Sequence, residues 1–430
     1  MIKNFNSVLK EVLVEIKPSE EELRDIGKTL SYYLKKIKGK MQNRKINAEI
    51  FVGGSFAKKT LIKKYPYDID IFIRFDKKYK NEALSDLTEK IIAGMGGTRI
   101  HGSRDYFKIK AGEGLFLEVV PVKRIKNSRE AENVTDLSYS HVNYIKKKLK
   151  SQKILDEVRL AKAFCYANNS YGAESYVRGF SGYGLELLLY HYGSFLKFIK
   201  EIAKMKFDSN NKIIIDIEKH HKNKNRILMD LNEAKLKSPI VLVDPTYKQR
   251  NVLAALSDET FRNFQDVCRN FLKNPTREFF KQRSVNIEKI KADANSKGYE
   301  FVLLKTTTNK QEGDVAGSKL LKFYRHIKDE IEKFYDIKKC GFEYKSGKNA
   351  KCFFVVKRKP WILVTGPSTN DKKNVNRFKS AHKSVFVKNS RLYSKKTNSL
   401  PIRSFIESWK RKNQDRIKDM SVIGLKILFS

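Results

Sequence analysis

The fold is decided by residues 53–60, GGSFAKKT, and residues 68–75, DIDIFIRF. The second segment largely alternates polar and apolar residues, which predicts a β-strand with two unlike faces. Alternate side chains of a strand share a face, so Asp68 and Asp70 should point to one side while the apolar residues point into a core. The sequence therefore predicts two carboxylates a few ångströms apart on one face of a sheet.

A carboxylate pair of this kind is typical of a Mg²⁺ site. Neighbouring carboxylates raise each other's pKa unless a cation lies between them. A third acid on a neighbouring strand would complete a two-metal arrangement, in which one ion activates a ribose 3′-hydroxyl and the other supports the leaving pyrophosphate. Glu118 stands alone among apolar residues in LFLEVVP, residues 115–121. We therefore expect Asp68, Asp70 and Glu118 to be both the catalytic and the metal-binding residues.

The Gly-Gly-Ser turn supplies the complementary half of such a site. Glycine lets the backbone approach a triphosphate and leaves N–H groups free to bind it. Ser55 can add a hydroxyl donor, and Lys58 or Lys59 a positive charge. Each signal is weak alone, because a D-x-D strand is more often a solvated edge and a Gly-Gly-Ser is usually only a turn. The order turn, D-x-D strand and lone acid on a later strand is much more specific.

Composition points to a multidomain protein with a polyanionic partner. The chain has 430 residues and 40% hydrophobic residues, enough for more than one core and too many for wholesale disorder. Its 89 Lys and Arg against 48 Asp and Glu give a formal charge of +41, which favours nucleic acid as the partner. The alternatives are an AT-rich genome, which enriches lysine without a functional reason, and an anionic membrane surface.

Membrane insertion, secretion and a structural zinc site are not expected. No apolar run approaches the roughly 20 residues of a spanning helix, and the N-terminus opens no signal-peptide pattern. The four cysteines are far apart with no C-x-x-C pair, and the histidines form no H-E-x-x-H motif. We therefore expect reduced thiols and a cytoplasmic protein.

The periodicity along the chain predicts an α+β multidomain fold. Ser19 and Glu22 form a capping box, which predicts a helix of about five turns after Pro18. Strands are expected over residues 48–52, 68–75 and 115–120, the last stopped by Pro121, and a Lys/Asn-rich turn near 207–225. Helices are expected over residues 157–168, 184–202 and 317–334, and further strands over 300–305, 352–357 and 361–364. The predicted domains are a catalytic domain (1–145), a helical middle domain (146–275) and an α+β C-terminal region (276–430).

The order of motifs resembles the polymerase-β-like nucleotidyltransferase superfamily, and within it the archaeal, class I CCA-adding enzymes, the tRNA nucleotidyltransferases. The similarity covers almost the whole chain and is carried by EVRLAK (157–162), YGAE (171–174), VRGFSGY (177–183), DP (244–245) with RNVLAA (250–255), and GP (366–367) with NV (374–375) and Phe378. Poly(A) polymerases and oligoadenylate synthetases share the catalytic motif but lack the VRGFSGY segment.

This resemblance implies template-independent addition of C, C and A to the 3′ end of tRNA from CTP and ATP, as in tRNA maturation and repair, with Mg²⁺ as cofactor. It also implies a polymerase-β-like catalytic domain, a middle domain that selects the base, a tRNA-binding C-terminal region and a homodimer. By matching motif positions, the residues implied to bind the nucleotide are Gly54, Ser55, Lys58, His141, Lys162, Tyr171 and Arg250. Taken without the resemblance, Lys162 could lie on a solvated basic face, Tyr171 in a core, and Arg250 in an ordinary ion pair.

Two departures from the family pattern keep alternatives open. Glu118 stands where the family usually has Asp, and its extra methylene shifts the carboxylate by about a bond length, which could weaken a metal site. Residues 102–106, GSRDY, stand where the family tends to be rich in His, so Arg104 is expected to replace a phosphate contact. The alternatives are an enzyme that adds only A, and a non-catalytic RNA-binding relative.

The basic clusters would then follow the phosphates of tRNA. They are residues 146–148 (KKK), 357–359 (KRK) and 410–412 (KRK). The neighbouring aromatic residues Tyr144, Trp361 and Trp409 are candidate stacking surfaces, although an aromatic residue is more often part of a core.

Overall fold

A computed structural model describes residues 5–206, 212–282 and 285–429. The chain divides into two units, residues 1–283 and 284–430. The finer division at residues 145 and 275 stays a prediction. Part of the Lys/Asn-rich turn expected near 207–225 lies outside the described residues.

The first unit combines a five-stranded sheet with a helical region. Its helices are α1 (Phe5–Ile16), α2 (Glu20–Asn43), α3 (Gly54–Ala57), α4 (Ala83–Ile92), α5 (Ser138–Lys148), α6 (Gln152–Ala167), α7 (Gly182–Tyr192), α8 (Phe195–Lys204), α9 (Lys224–Asp230) and α10 (Asp258–Lys273). Its strands are β1 (Ala48–Val52), β2 (Tyr67–Phe75), β3 (Gly97–Ile100), β4 (Tyr106–Gly112), β5 (Leu115–Lys123), β6 (Ile213–Ile215), β7 (Ile240–Asp244) and β8 (Tyr247–Asn251).

The five-stranded sheet has the order β1-β2-β5-β4-β3. Strands β2 and β5 are parallel, and the other neighbours are antiparallel. The alternation predicted for β2 is confirmed, because Ile69, Ile71, Ile73 and Phe75 are fully buried. They pack with apolar residues of α2 and α4 in one core, so the opposite face of β2 carries its polar side chains.

The predicted start of α2 is confirmed and the predicted end of β5 is wrong. Ser19 caps α2, with its hydroxyl accepting from the Glu22 N–H and its own N–H donating to the Glu22 carboxylate at 2.7 Å. Strand β5 does not stop at Pro121 but runs on to Lys123. Pairing with β4 has ended at Val119, so Pro121 lies where one neighbouring strand no longer continues.

Helices α1, α6, α7, α8 and α10 share a core rich in phenylalanine. The single helix expected over residues 184–202 is wrong, because two helices occupy that segment. Gly193 ends α7 in the left-handed region at φ 77°, and the Ser194 hydroxyl caps α8 by accepting from the Lys197 N–H. A glycine followed by a serine provides both a C-cap and an N-cap, which outweighs the continuous apolar pattern.

The second unit is α+β. Its helices are α11 (Ile287–Ser296), α12 (Asp314–Glu332), α13 (Lys372–Ala381), α14 (Ile402–Lys412) and α15 (Gln414–Asp419), and its strands are β9 (Glu300–Thr308), β10 (Tyr335–Glu343), β11 (Asn349–Arg358), β12 (Trp361–Ser368), β13 (Val385–Lys388), β14 (Arg391–Thr397) and β15 (Val422–Phe429). They form an antiparallel sheet β10-β11-β9-β15 and a smaller sheet β12-β14-β13.

The two tryptophans of this unit have different environments. Trp409 lies in the core formed by α12, α14 and the larger sheet, so it is not a stacking surface. Trp361 begins β12 and is 57% exposed. Within the described part of the chain, no helix has the length and apolar character needed to cross a bilayer.

Candidate active site

The three predicted carboxylates share one face of the central sheet. Asp70 on β2 is the register partner of Glu118 on β5, and Asp68 precedes Asp70 by one alternation. Burial and then the charge of Asp68 raise the pKa of Asp70. Burial, followed by the charges of Asp70 and Asp68, raises the pKa of Glu118 to about 7. A further positive charge beside Asp70 and Glu118 would therefore stabilise their ionised forms.

Two lysines that the sequence did not single out lie against these carboxylates. Lys64 Nζ is 2.8 Å from Asp68 Oδ2, and Lys108 Nζ is 3.1 Å from Asp68 Oδ1 and 3.7 Å from Glu118 Oε1. Burial opposes the effect, but these ammonium groups lower the pKa of Asp68. In the described ranges, no three His, Cys, Asp or Glu side chains converge as a ready set of metal ligands. Lysine ammonium groups lie against Asp68 and Glu118 in this arrangement.

The turn before β2 lies directly against Asp70. Gly54 has φ +59°, and a Cβ there would be 1.6 Å from Asp70 Oδ2. The Gly53 N–H donates to the Asp70 carbonyl at 2.9 Å. Glycine is therefore required at position 54 by both conformation and space.

A cavity of about 230 Å³ opens beside this turn. It brings together seven of the residues predicted from the sequence, namely Gly54, Ser55, Lys58, Asp68, Asp70, Lys162 and Tyr171. Lys162 is 2% exposed, so it does not lie on a solvated helix face. Tyr171 lines the cavity while also packing against the helical core.

Lys58 and Lys162 share a buried partner that sequence reasoning missed. Glu186 on α7 is fully buried and accepts hydrogen bonds from Lys58 Nζ at 2.6 Å and Lys162 Nζ at 2.8 Å. In the sequence, Glu186 lies among the leucines of GLELLLY and looks like any acidic residue of a helix. The only available signal was a single acid on an otherwise apolar helical stretch.

His141 and Arg250 meet in a second cluster, around the buried Asp244. Asp244 Oδ2 is 2.8 Å from His141 Nε2 and 2.7 Å from Arg250 Nη1, and Oδ1 accepts from the Tyr183 hydroxyl at 3.2 Å. Burial opposes the effect, but the hydrogen bond from His141 and the charge of Arg250 hold the pKa of Asp244 well below its usual range. Arg250 lines a separate cavity of about 380 Å³, together with Asn133 and other residues.

Arg104 does not take the place of a phosphate contact. Its side chain is 5% exposed and forms an ion pair with the buried Asp136. It also donates to the Asn81 side chain at 2.5 Å. The expectation that Arg104 replaces a phosphate contact is therefore wrong in this structure, because the buried Asp136 carboxylate holds the guanidinium.

Two family models match consecutive parts of the chain. The model described as a nucleotidyltransferase domain matches residues 34–160, and the model described as the second domain of tRNA nucleotidyltransferase matches residues 156–281. Together they cover the three carboxylates, the glycine turn, Glu186 with its two lysines, and the cluster around Asp244. The predicted nucleotidyltransferase fold is confirmed.

Similar proteins agree with these matches. The CCA-adding enzyme of Nanoarchaeum equitans is 33% identical over 80% of this chain and 83% of its own length. The CCA-adding enzyme of Methanocaldococcus jannaschii is 30% identical over 92% of this chain and 88% of its own length. A structure of the Cid1 poly(U) polymerase has a TM-score of 0.51 at 14% identity, covering 66% of this chain and all of that one, which shows a shared fold. The predicted family is thus confirmed, and this chain belongs to the CCA-adding tRNA nucleotidyltransferases.

Proposed function

We propose that this chain adds C, C and A to the 3′ end of tRNA from CTP and ATP, with the protein rather than a nucleic-acid template selecting the base. The observation that carries the proposal is the pairing of Asp70 with Glu118 beside a cavity lined by Lys58 and Lys162. Acids and cations that meet at one cavity suit a reaction between a hydroxyl and a triphosphate.

Mg²⁺ is the proposed cofactor, held by Asp68, Asp70 and Glu118. The donor set fits a hard divalent cation, because all three are carboxylates on one sheet face and burial raises the pKa of two of them. When bound, the metal would activate the ribose 3′-hydroxyl and stabilise the departing pyrophosphate. Lys64 and Lys108 would have to move away from the carboxylates to admit it.

The chain's own residues would bind and orient the nucleotide. The N–H groups of the turn at Gly54, the Ser55 hydroxyl and the ammonium groups of Lys58 and Lys162 are proposed to bind the triphosphate. Tyr171 would contact the ribose or base from the wall of the same cavity. These are all donors or flat surfaces that suit a nucleoside triphosphate.

His141 and Arg250 are proposed as nucleotide contacts on the side of the base. Arg250 faces the second cavity with a guanidinium that Asp244 orients, which suits the reading of a base edge. His141, which is hydrogen-bonded to the same Asp244, would contact the nucleotide beside Arg250.

The remaining parts of the proposal concern organisation and tRNA. Residues 1–145 would catalyse, 146–275 would select the base, and 276–430 would bind tRNA through their basic residues. The protein is proposed to act in the cytoplasm as a homodimer. Light scattering after gel filtration would test the dimer, and the mass of a single chain would contradict it.

The experiment that tests the function is incorporation of labelled CTP and ATP, with Mg²⁺, into tRNA transcripts ending before CCA, after its first C and after its second C. The expected result is sequential addition of C, C and A, abolished by Asp70→Ala. Incorporation of A alone would identify an A-adding enzyme. Binding of tRNA without incorporation would identify a non-catalytic relative. Glu118 would then be the first candidate for the residue that impairs the metal site.

A further inference from the structure

Glu186 lies between two cations that the proposed function assigns to the nucleotide. It is fully buried on α7. Its Oε2 accepts from Lys58 Nζ at 2.6 Å and its Oε1 accepts from Lys162 Nζ at 2.8 Å. One carboxylate therefore connects the segment that follows the glycine turn to helix α6.

Thr60 completes the arrangement. Its hydroxyl, also fully buried, donates to Glu186 Oε1 at 2.9 Å and accepts from Lys162 Nζ at 2.7 Å. The ammonium group of Lys162 is thus fixed from two directions. A buried ion pair is stable only with additional hydrogen bonds of this kind, so the geometry is that of a defined cluster.

The two lysines of the cluster lie at the cavity wall, and the Glu186 carboxylate lies behind them. Lys58, Thr60 and Lys162 line the cavity of about 230 Å³, and Glu186 is not among its lining residues. Two ammonium groups and one carboxylate leave the cluster with one net positive charge. A bound anion would therefore meet the lysines first.

We propose that Glu186 is a positioning residue for the nucleoside triphosphate, holding Lys58 and Lys162 side by side, charged and directed into the cavity before the nucleotide binds. The inference rests on the proposed function, because it takes a triphosphate as the occupant of this cavity. Without a buried counter-charge the two ammonium groups would repel each other at short range.

The protonation of Lys162 supports this role. Burial lowers the pKa of Lys162 to about 8, the charges of Lys58 and Arg159 act in the same direction, and Glu186 opposes them. Burial works against ionisation of Glu186, but Lys162 and Lys58 lower its pKa to about 2. Glu186 is therefore an anion at any working pH.

The other titratable groups near Lys162 cannot substitute for Glu186. Arg159 is paired with Asp156 at 2.5 Å and repels the ammonium group. Tyr171 is neutral, since burial raises its pKa. Asp70 lines the same cavity, but its charge interacts with Lys58 and is not among the main influences on Lys162. Removing the charge of Glu186 would thus lower the pKa of Lys162 below about 8, so that the side chain loses its proton near neutral pH.

The test is Glu186→Gln, which keeps the shape and removes the charge. CTP binding to the full chain is measured by calorimetry, without tRNA, from about pH 6 to about pH 9. We expect the variant to bind CTP about tenfold or more weakly than the unaltered chain near pH 7.5. The difference should narrow as the pH falls, because acid restores the proton on Lys162. In turnover, KM should rise more than kcat falls.

Glu157→Gln is the matched control. Glu157 is a partly buried acid on α6 whose carboxylate accepts from the Phe195 N–H at 2.7 Å. The same chemical change there should lower thermal stability while leaving CTP affinity and its pH dependence as in the unaltered chain. A purely structural role for Glu186 would make its variant behave like this control.

Glu186→Asp is a second variant, and it keeps the proposal testable if Glu186→Gln does not fold. It keeps the charge but withdraws the carboxylate, so CTP should bind more weakly with an unshifted pH dependence. CTP affinity equal to that of the unaltered chain in a folded Gln or Asp variant would overturn the proposal. An unaltered chain that binds CTP but incorporates none contradicts the proposed function instead, so the two failures are distinguishable.

Discussion

Asp70 and Glu118 face each other across the parallel strands β2 and β5, in register. Side chains in register on neighbouring strands share a face, so the two carboxyl groups lie close together. Burial and then the charge of Asp68 raise the pKa of Asp70, and burial followed by the charges of Asp70 and Asp68 raises the pKa of Glu118. The pairing is an unfavourable arrangement that a cation would relieve, which supports the proposed metal site over a solvated strand edge.

The first prediction concerns Asp70→Asn, which preserves shape and removes one charge. The incorporation of CMP into tRNA lacking CCA should fall by more than about a hundredfold at saturating CTP and Mg²⁺, because even outer-shell partners of metal ligands contribute about 10- to 100-fold. The rate is followed by gel electrophoresis of labelled tRNA. Asp76→Asn, at an acid just beyond β2, is the control and should keep the rate. A near-normal rate in Asp70→Asn would exclude the proposed metal site.

The second prediction compares two left-handed glycines. Gly54→Ala places a Cβ 1.6 Å from Asp70 Oδ2, whereas Gly94→Ala, at φ +74°, meets no atom within 4 Å. Both variants should lose about 1 kcal/mol of unfolding free energy for the backbone conformation. Only Gly54→Ala should also lose CMP incorporation, since only there is the carboxylate displaced. Equal activity losses in the two variants would show that backbone strain, not space beside Asp70, matters.

The sequence was sufficient for features that depend on local pattern. Alternation in DIDIFIRF predicted both the strand and its two faces, and Ile69, Ile71 and Ile73 are indeed fully buried. The capping box at Ser19 predicted the start of α2. Glu118 could be singled out because a lone acid in an apolar strand is costly to bury unless a cation or a hydrogen-bond donor binds it.

Features that depend on tertiary pairing could not be predicted in this way. Lys108 reaches the carboxylates because β4 aligns it with Glu118, and nothing in the segment YFKIKAG shows that register. Glu186 meets its lysines only after α6 and α7 pack together. Arg104 was expected at a phosphate because the sequence does not show that it pairs with Asp136, which lies far along the chain.

The third prediction concerns the buried Asp244. In Asp244→Asn, Arg250 loses its counter-charge and His141, whose pKa is lowered by burial, loses its carboxylate hydrogen-bond partner, which should lower the free energy of unfolding by about 3 kcal/mol at pH 7. The pKa of Asp244 is lowered in the fold, so its contribution is complete at neutral pH. It decreases progressively as the pH falls below the ordinary carboxyl value of about 3.9 towards the lowered pKa of the folded state, so the difference in unfolding free energy between the two proteins should narrow in acid.

Urea unfolding followed by circular dichroism measures this difference at neutral and acidic pH. The control is Asp266→Asn, which breaks an exposed ion pair between Asp266 and Arg269 on α10. That variant should change the unfolding free energy by less than about 1 kcal/mol. If Asp244→Asn behaved like the exposed control, the cluster around Asp244 would not be a source of stability.

The fourth prediction concerns the choice of base by Arg250. A guanidinium has five N–H donors, so the single bond to Asp244 orients it without exhausting its donors. Arg250→Lys keeps the charge but removes the planar fork. The ratio of kcat/KM for CTP to that for UTP, on tRNA ending before CCA, should fall by about tenfold or more. The control is Lys248→Gln on the same strand, which should leave that ratio unchanged, and an unchanged ratio in Arg250→Lys would exclude it as a base reader.

The fifth prediction distinguishes a tRNA-binding role for the basic residues from a composition inherited from an AT-rich genome. If the lysines of α5 neutralise phosphates, the logarithm of the tRNA dissociation constant rises steeply with the logarithm of salt concentration. Lys146 and Lys147 are exposed. Replacing both with Gln should reduce that slope by about 1 for each phosphate that is no longer neutralised.

Lys148 provides the matched control for this measurement, on the same helix. Its ammonium group is already paired with Glu218 at 2.8 Å, so Lys148→Gln removes a charge that is largely balanced within the protein. The salt slope should then change by clearly less than for the double variant. Equal slopes in all three proteins would favour compositional bias as the origin of these lysines, because charges that never meet phosphate release no counterions when tRNA binds.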